Sequence, residues 1–158
     1  GGATLGVELA TRGVDIAAGF FHEPAAGSLA PGLLDHVVEA FRRGGVPGFG
    51  RALYGPDWSI DMTSADEAVV ARELAMFRAF EPREPAVEAP PVTLTVGQRS
   101  PAARYASVDA VAERCGFGRR VLPGTSHAAH LDHAFEPVIG GLAYSLNAVD
   151  RPDRQGRP

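Results

Sequence analysis

The 158-residue sequence predicts an α/β fold: a partial doubly wound parallel sheet of about three strands, with flanking helices and a helical insertion. Three observations carry this reading. Short apolar or β-branched runs alternate with helix-length amphipathic stretches, the order that parallel strands joined by right-handed crossovers require. One run, "VDIAAGFFHEP", is apolar without alternation, as in a strand covered on both faces. Only three strands are legible, a small sheet for strands of that apolarity, so the chain reads as the back half of a larger domain.

The elements follow in order. "GGATLGVELATRG" spaces Leu5, Val7 and Leu9 compatibly with a short buried helix, packed closely through its glycines and stopped at Gly13. "VDIAAGFFHEP" is the first strand, ended by His22, Glu23 and Pro24. "PGLLDHVVEAFRRGG" opens on proline and closes on two glycines, a helix with Leu33, Leu34, Val37, Val38 and Phe41 inward. "VPGFGRALYGPDWSIDMT" is broken by glycine and proline and reads as a loop or short helical turns. "SADEAVVARELAMFRAF" is the clearest helix, with Ser64 as its cap and Glu67 completing a capping box. The Pro-rich "EPREPAVEAPP" links it to "VTLTVGQRSP", a β-branched strand ending at Gly97. "AARYASVDAVAERCG" is an amphipathic helix, "GRRVLPGTS" holds a short strand, and "HLDHAFEPVIGGLAYSLNAV" a terminal helix interrupted near Pro137.

Composition narrows the function. The chain is 45% hydrophobic and 22% charged, with a formal net charge of −4. All fifteen basic residues are arginine, without an extended cluster, so no nucleic-acid partner is expected. No apolar run reaches the roughly 20 residues that span a bilayer, so no membrane partner is expected either. The single Cys115 permits no internal disulfide, which makes a reducing, cytoplasmic setting the default, and its place in "AERCGFG" suits buried packing better than nucleophilic chemistry. The start "GGATLG" has neither an initiator Met nor a signal-peptide pattern and reads as a cut edge, while "DRPDRQGRP" reads as a disordered tail.

Taken together, these elements resemble the C-terminal half of an α/β-hydrolase. That family's nucleophile elbow reads Gly-x-Ser-x-Gly-Gly and opens into a helix. "GGATLGVELATRG" resembles its last two glycines and that helix, "VDIAAGFFHEP" the sixth strand, and residues from about 29 to 85 the helical cap. "PPVTLTVGQRSP" is similar to the seventh strand and its exit, and "RRVLPGTSHAAHLDHAFEPVIGGL" to the eighth strand, the histidine loop and the last helix. The resemblance implies residues 1–28 and 86–149 as core, 29–85 as cap and 150–158 as tail. It places the catalytic serine two positions before Gly1, along with both oxyanion donors, outside this chain. The seven serines, Ser28, Ser59, Ser64, Ser100, Ser107, Ser126 and Ser145, offer no Gly-x-Ser-x-Gly substitute.

The family carries its base in a Pro-Gly-x-x-His segment, and "PGTSHAAH" implies His127, turned by Pro123 and Gly124 over the C-terminal edge of the sheet. His130 and His133 are expected on one side of the following helix in packing or solvated roles. A zinc site would want the Glu of a His-Glu-x-x-His pattern, so no metal or other cofactor is expected. Most relatives carry an Asp just past strand seven, where this chain has Ser100. Some carry the acid at the end of strand six, where Glu23 stands, and Asp132 is a distant third choice. Phe49, Leu53, Tyr54, Trp58, Met62, Met76 and Phe77 could line an apolar substrate pocket or simply pack the cap on the core.

The implied function is that of the C-terminal portion of a serine-type hydrolase acting on an ester or similar small acyl substrate, inactive by itself. The alternatives are a dehalogenase or epoxide hydrolase with an Asp nucleophile, and a non-catalytic binding member of the fold. The sequence does not specify the substrate or the oligomeric state.

Overall fold

The computed structural model describes residues 1–85 and 90–140. Three strands, β1 (Gly19–His22), β2 (Val92–Gly97) and β3 (Gly118–Leu122), form one parallel sheet in the order β1-β2-β3. Phe21 aligns with Leu94 and Leu94 with Arg119, so the C-terminal ends of β1 and β2 and the exit of β3 gather at one edge. The three strands with flanking helices make a small α/β fold.

Side-chain alternation along the strands separates two layers. Phe21, Val92, Leu94 and Val96 share one face with α1 (Gly2–Thr11) and α4 (Ala102–Cys115), whose Val7, Ala10, Val108 and Val111 are fully buried against it. Phe20 and Leu122 share the other face with Ala129, Phe135 and Val138. The strand expected to be covered on both faces, β1, is only half-buried; the central β2 is the one buried along most of its length, and β3 is exposed up to Leu122. The edge position accompanies this: among the described residues, each outer strand is hydrogen-bonded to β2 alone. β1 also occupies only the last part of its apolar run, since Val14 is exposed before it.

Helix α1 sits on the sheet by a different stripe from the leucines. Val7 and Ala10 are buried, while Leu5 and Leu9 are exposed. Gly6 permits the close approach, because a Cβ there would meet the Phe21 ring at 2.5 Å.

Between β1 and β2 lies a helical segment with a core of its own, built from Val37, Val46, Phe49, Trp58, Val70 and Leu74. Its helix α2 runs from Asp35 to Tyr54 and includes the stretch from Val46 to Tyr54 read above as loop or short turns. Gly44 and Gly45 break it into two helices: Gly45 has φ +56°, and Pro47 then falls in the first turn of the second, where a missing N–H costs nothing.

Helix α3 (Glu67–Ala79) is capped by Asp66, not Ser64. The Asp66 carboxylate accepts from the Val69 N–H at 2.8 Å, and the Thr63 hydroxyl accepts from Ala65 N–H, which keeps Ser64 outside the helix. Cys115 ends α4 buried, its thiol donating to the Arg83 carbonyl at 3.5 Å, and burial pushes that thiol up to about 11.

The terminal helix is not interrupted at Pro137. Residues 127–135 are turns, and helix begins at Glu136, so the proline lies in its first turn. The rest of the expected terminal helix and the tail lie outside the described residues. Among the described residues, no helix is long and apolar enough to cross a membrane.

Candidate functional site

The C-terminal edge of the sheet assembles a buried carboxylate with two histidines. Glu23 follows β1 directly, with its side chain fully buried. Its φ of +44° is left-handed, a conformation that costs a non-glycine residue about 1–3 kcal/mol and persists only where surroundings hold it. Here they do. The Glu23 N–H donates to the Thr95 carbonyl at 3.0 Å, and both carboxylate oxygens are engaged. The turn also ends the alternation of the strand, which lets adjacent side chains, His22 and Glu23, both reach the loop after β3.

One carboxylate oxygen, Oε1, accepts from the Gly97 N–H at 3.0 Å and from the Ser100 hydroxyl at 2.5 Å. The other, Oε2, accepts from His127 Nδ1 at 2.9 Å, with Arg104 Nε 3.6 Å away. Burial would raise the acid, but the hydrogen bonds from His127, Ser100 and Gly97 outweigh it and hold the carboxyl down at about 2. Glu23 is therefore ionised at neutral pH and can only accept. That assigns the proton of neutral His127 to Nδ1 and leaves Nε2 as its basic nitrogen. Burial, then the nearby Arg104 and His22, pull His127 below its ordinary value despite the carboxylate.

The loop that presents His127 is tied down from the exit of β2. Gly124 (φ +67°) turns the chain and donates to the Gln98 side chain at 2.9 Å, and Arg99 N–H donates to the Thr125 carbonyl at 2.8 Å. Gly97 is required by the same packing: a Cβ there would lie 2.7 Å from Ser126 Cα. Tyr54, at the end of α2, stacks on His127 with ring centroids 5.8 Å apart and 28° between planes.

Glu23 and His127 are thus brought together. Asp132 does not join them: it accepts from the Thr125 hydroxyl at 2.5 Å and stands 3.8 Å from Arg99, fastening the loop instead. His130 and His133 are not on a helix face. Both are exposed in turns, His130 against the edge of Tyr54 and His133 bonded to Glu136 at 3.0 Å. Among the described residues, no His, Cys, Asp and Glu group has the geometry to hold a metal ion.

A cavity of about 430 Å³ is lined by Phe49, Leu53, Tyr54, Trp58, Met62 and Phe77. Phe49, Leu53 and Phe77 also line a space of about 40 Å³ against His127, Glu23 and Arg104. Met76, expected with them, is exposed and lines neither cavity, because it falls on the outer side of α3 from Val70 and Leu74. A third cavity of about 330 Å³ passes His22, Glu23, Tyr54 and His127 and reaches the start of α1 at Gly1.

In the sequence Ser100 stands out only as the residue in place of an acid, and Gly97, Arg104 and His22 do not stand out as partners of the pair. The first three lie more than 70 residues from Glu23, beyond any local spacing. His22 carried a signal, a histidine beside a carboxylate at the end of an apolar run.

Compared with protein-family models, with curated proteins and with solved structures, the chain matches none.

Proposed function

We propose that this chain carries the general base and orienting acid of a serine-type α/β-hydrolase acting on an ester or similar small acyl substrate. One observation supports this most: a buried, ionised Glu23 accepts from His127 Nδ1, leaving Nε2 basic beside a cavity. A histidine held this way can take a proton from an attacking hydroxyl and return it to a leaving group, while the carboxylate stabilises the imidazolium. In this reading the acid sits at the end of the sixth strand, and the sheet belongs to a larger doubly wound one. Residues 29–85 are its cap, whose aromatic cavity receives the acyl or alkyl part of the substrate.

The nucleophile of this reading is a serine two positions before Gly1 in a longer form of the protein. Gly1 lines the same cavities as His127, so a residue entering α1 would arrive next to the base. Turnover of a chromogenic short-chain ester by that longer form, abolished by His127→Ala, is the expected result. Absence of turnover, or turnover indifferent to His127→Ala, would refute the proposal.

A further inference from the structure

Beside the acid–base pair stands a second histidine whose two ring nitrogens are both committed. His22 Nε2 lies 3.0 Å from the Ser126 carbonyl oxygen, and Nδ1 lies 3.0 Å from the Thr95 hydroxyl. A carbonyl can only accept, so Nε2 carries the proton, and Nδ1 accepts from the fully buried Thr95. Phe135 meets the ring edge-on, with centroids 5.6 Å apart. The charged or titratable groups facing it are Glu23, Arg104, His127 and His130. Burial, helped by Arg104 and His130, outweighs Glu23 and the Ser126 carbonyl and lowers its proton affinity, so the ring stays neutral.

We infer that His22 is a positioning residue for His127, bracing the histidine loop from the sheet through the Ser126 carbonyl. The place of that bond in the chain carries the inference. Gln98 and Arg99 hold the loop at Gly124 and Thr125, before the turn into His127. The Ser126 carbonyl belongs to the peptide that enters His127 itself, and its other donor is the Thr125 hydroxyl at 3.3 Å, which lies 2.5 Å from Asp132. Gly97 of β2 packs against the same peptide, but among the described residues His22 supplies the hydrogen bond from the sheet that fixes it. It lies next to Glu23 in sequence, so β1 sets both ends of the His127 geometry: the acceptor for Nδ1 and the backbone from which the ring hangs. The brace is a statement about geometry, and it rests on the hydrolase reading only for its catalytic consequence.

The test reads the His127 Nδ1 proton directly, by ¹H–¹⁵N NMR of this chain, as the downfield signal of a histidine–carboxylate hydrogen bond. His22→Phe keeps a ring against Phe135 but removes both hydrogen bonds. It is expected to lose or broaden that signal and to shift the His127 titration, with the circular dichroism of the fold retained. His22→Gln, which can place an N–H at the Nε2 position, is expected to restore the signal, whereas His22→Asn, one carbon shorter, is not. If His22→Phe does not fold, the Gln and Asn pair decides. A wild-type signal in His22→Phe, or equal signals in the Gln and Asn variants, overturns the inference. In the longer form, kcat is expected to fall about 100-fold in His22→Phe with little change in KM, the scale for a reacting group misplaced by roughly 1 Å. Loss of the NMR signal with no hydrolysis by any form would uphold the brace and reject the hydrolase. Hydrolysis with the signal unchanged would do the reverse.

Discussion

Replacing Glu23 by glutamine should remove a pH-dependent part of the stability of this fold. The folded carboxyl titrates at about 2, against 4.5 for an unperturbed glutamate. The folded state therefore binds this proton more weakly than the unfolded state. The resulting stability is fully present above about pH 4.5 and is lost as pH falls through about 2. At roughly 1.36 kcal/mol for each tenfold change in proton affinity, the whole contribution is on the order of 3 kcal/mol. Its origin is local: His127, Ser100 and Gly97 all donate to the charged form, and Arg104 lies within 3.6 Å. Glutamine has the size of the protonated acid and, like it, leaves Arg104 without a counter-charge.

Urea unfolding of both proteins from pH 7 to pH 2 reads this difference. Titration of the other carboxylates cancels in the comparison. Wild type should exceed Glu23→Gln by about 3 kcal/mol near neutrality, and the gap should close as pH approaches 2. A gap that stays flat within about 0.5 kcal/mol across the range would refute the assignment of an ionised, hydrogen-bonded Glu23.

Other expectations follow from the same network. In the longer form, Glu23→Gln presents an amide N–H to His127 and favours the wrong tautomer, so ester turnover should fall by about four orders of magnitude. Asp132→Asn, which touches Thr125 and not His127, should do far less, and the reverse ranking in steady-state assays would move the acid to Asp132. Gly97→Ala sets a Cβ against the Ser126 backbone, so it should cost about 2 kcal/mol and lower the melting midpoint by roughly 4–8 °C. An unchanged midpoint would mean the loop yields freely. The 158-residue chain by itself should not turn over acetate or butyrate esters, and turnover abolished by His127→Ala would contradict that.

Much of the fold is legible in the sequence because local pattern encodes it. "VTLTVG" and the Gly-punctuated helices suffice for three parallel strands with flanking helices. The errors come where two local signals compete. Ser64 and Asp66 both offer a cap two residues apart, and the Thr63 turn decides for Asp66. Gly44-Gly45 followed by Pro47 reads as a loop, yet glycine kinks and first-turn prolines also start new helices. Leu5 and Leu9 look inward by hydrophobicity, but the sheet takes the smaller Val7, Ala10 and Gly6 because Gly6 lets the helix close onto the Phe21 ring.

The site divides the same way. His127 stands out through Pro-Gly-x-x-His and Glu23 through its place at the end of an apolar run. The groups that charge and orient them, Ser100, Gly97 and Arg104, come from β2, its exit and α4. Tertiary contacts of that range leave no spacing to read.

The central claim is that His127, oriented by Glu23, serves a serine nucleophile at the entry to α1. Labelling the longer form with a serine-directed fluorophosphonate and mapping the adduct by mass spectrometry tests it most directly. The account predicts one labelled serine, two positions before Gly1, with labelling slowed by orders of magnitude in His127→Ala and Glu23→Gln. An aspartate at that position, no adduct, or an adduct whose rate ignores both substitutions would contradict it.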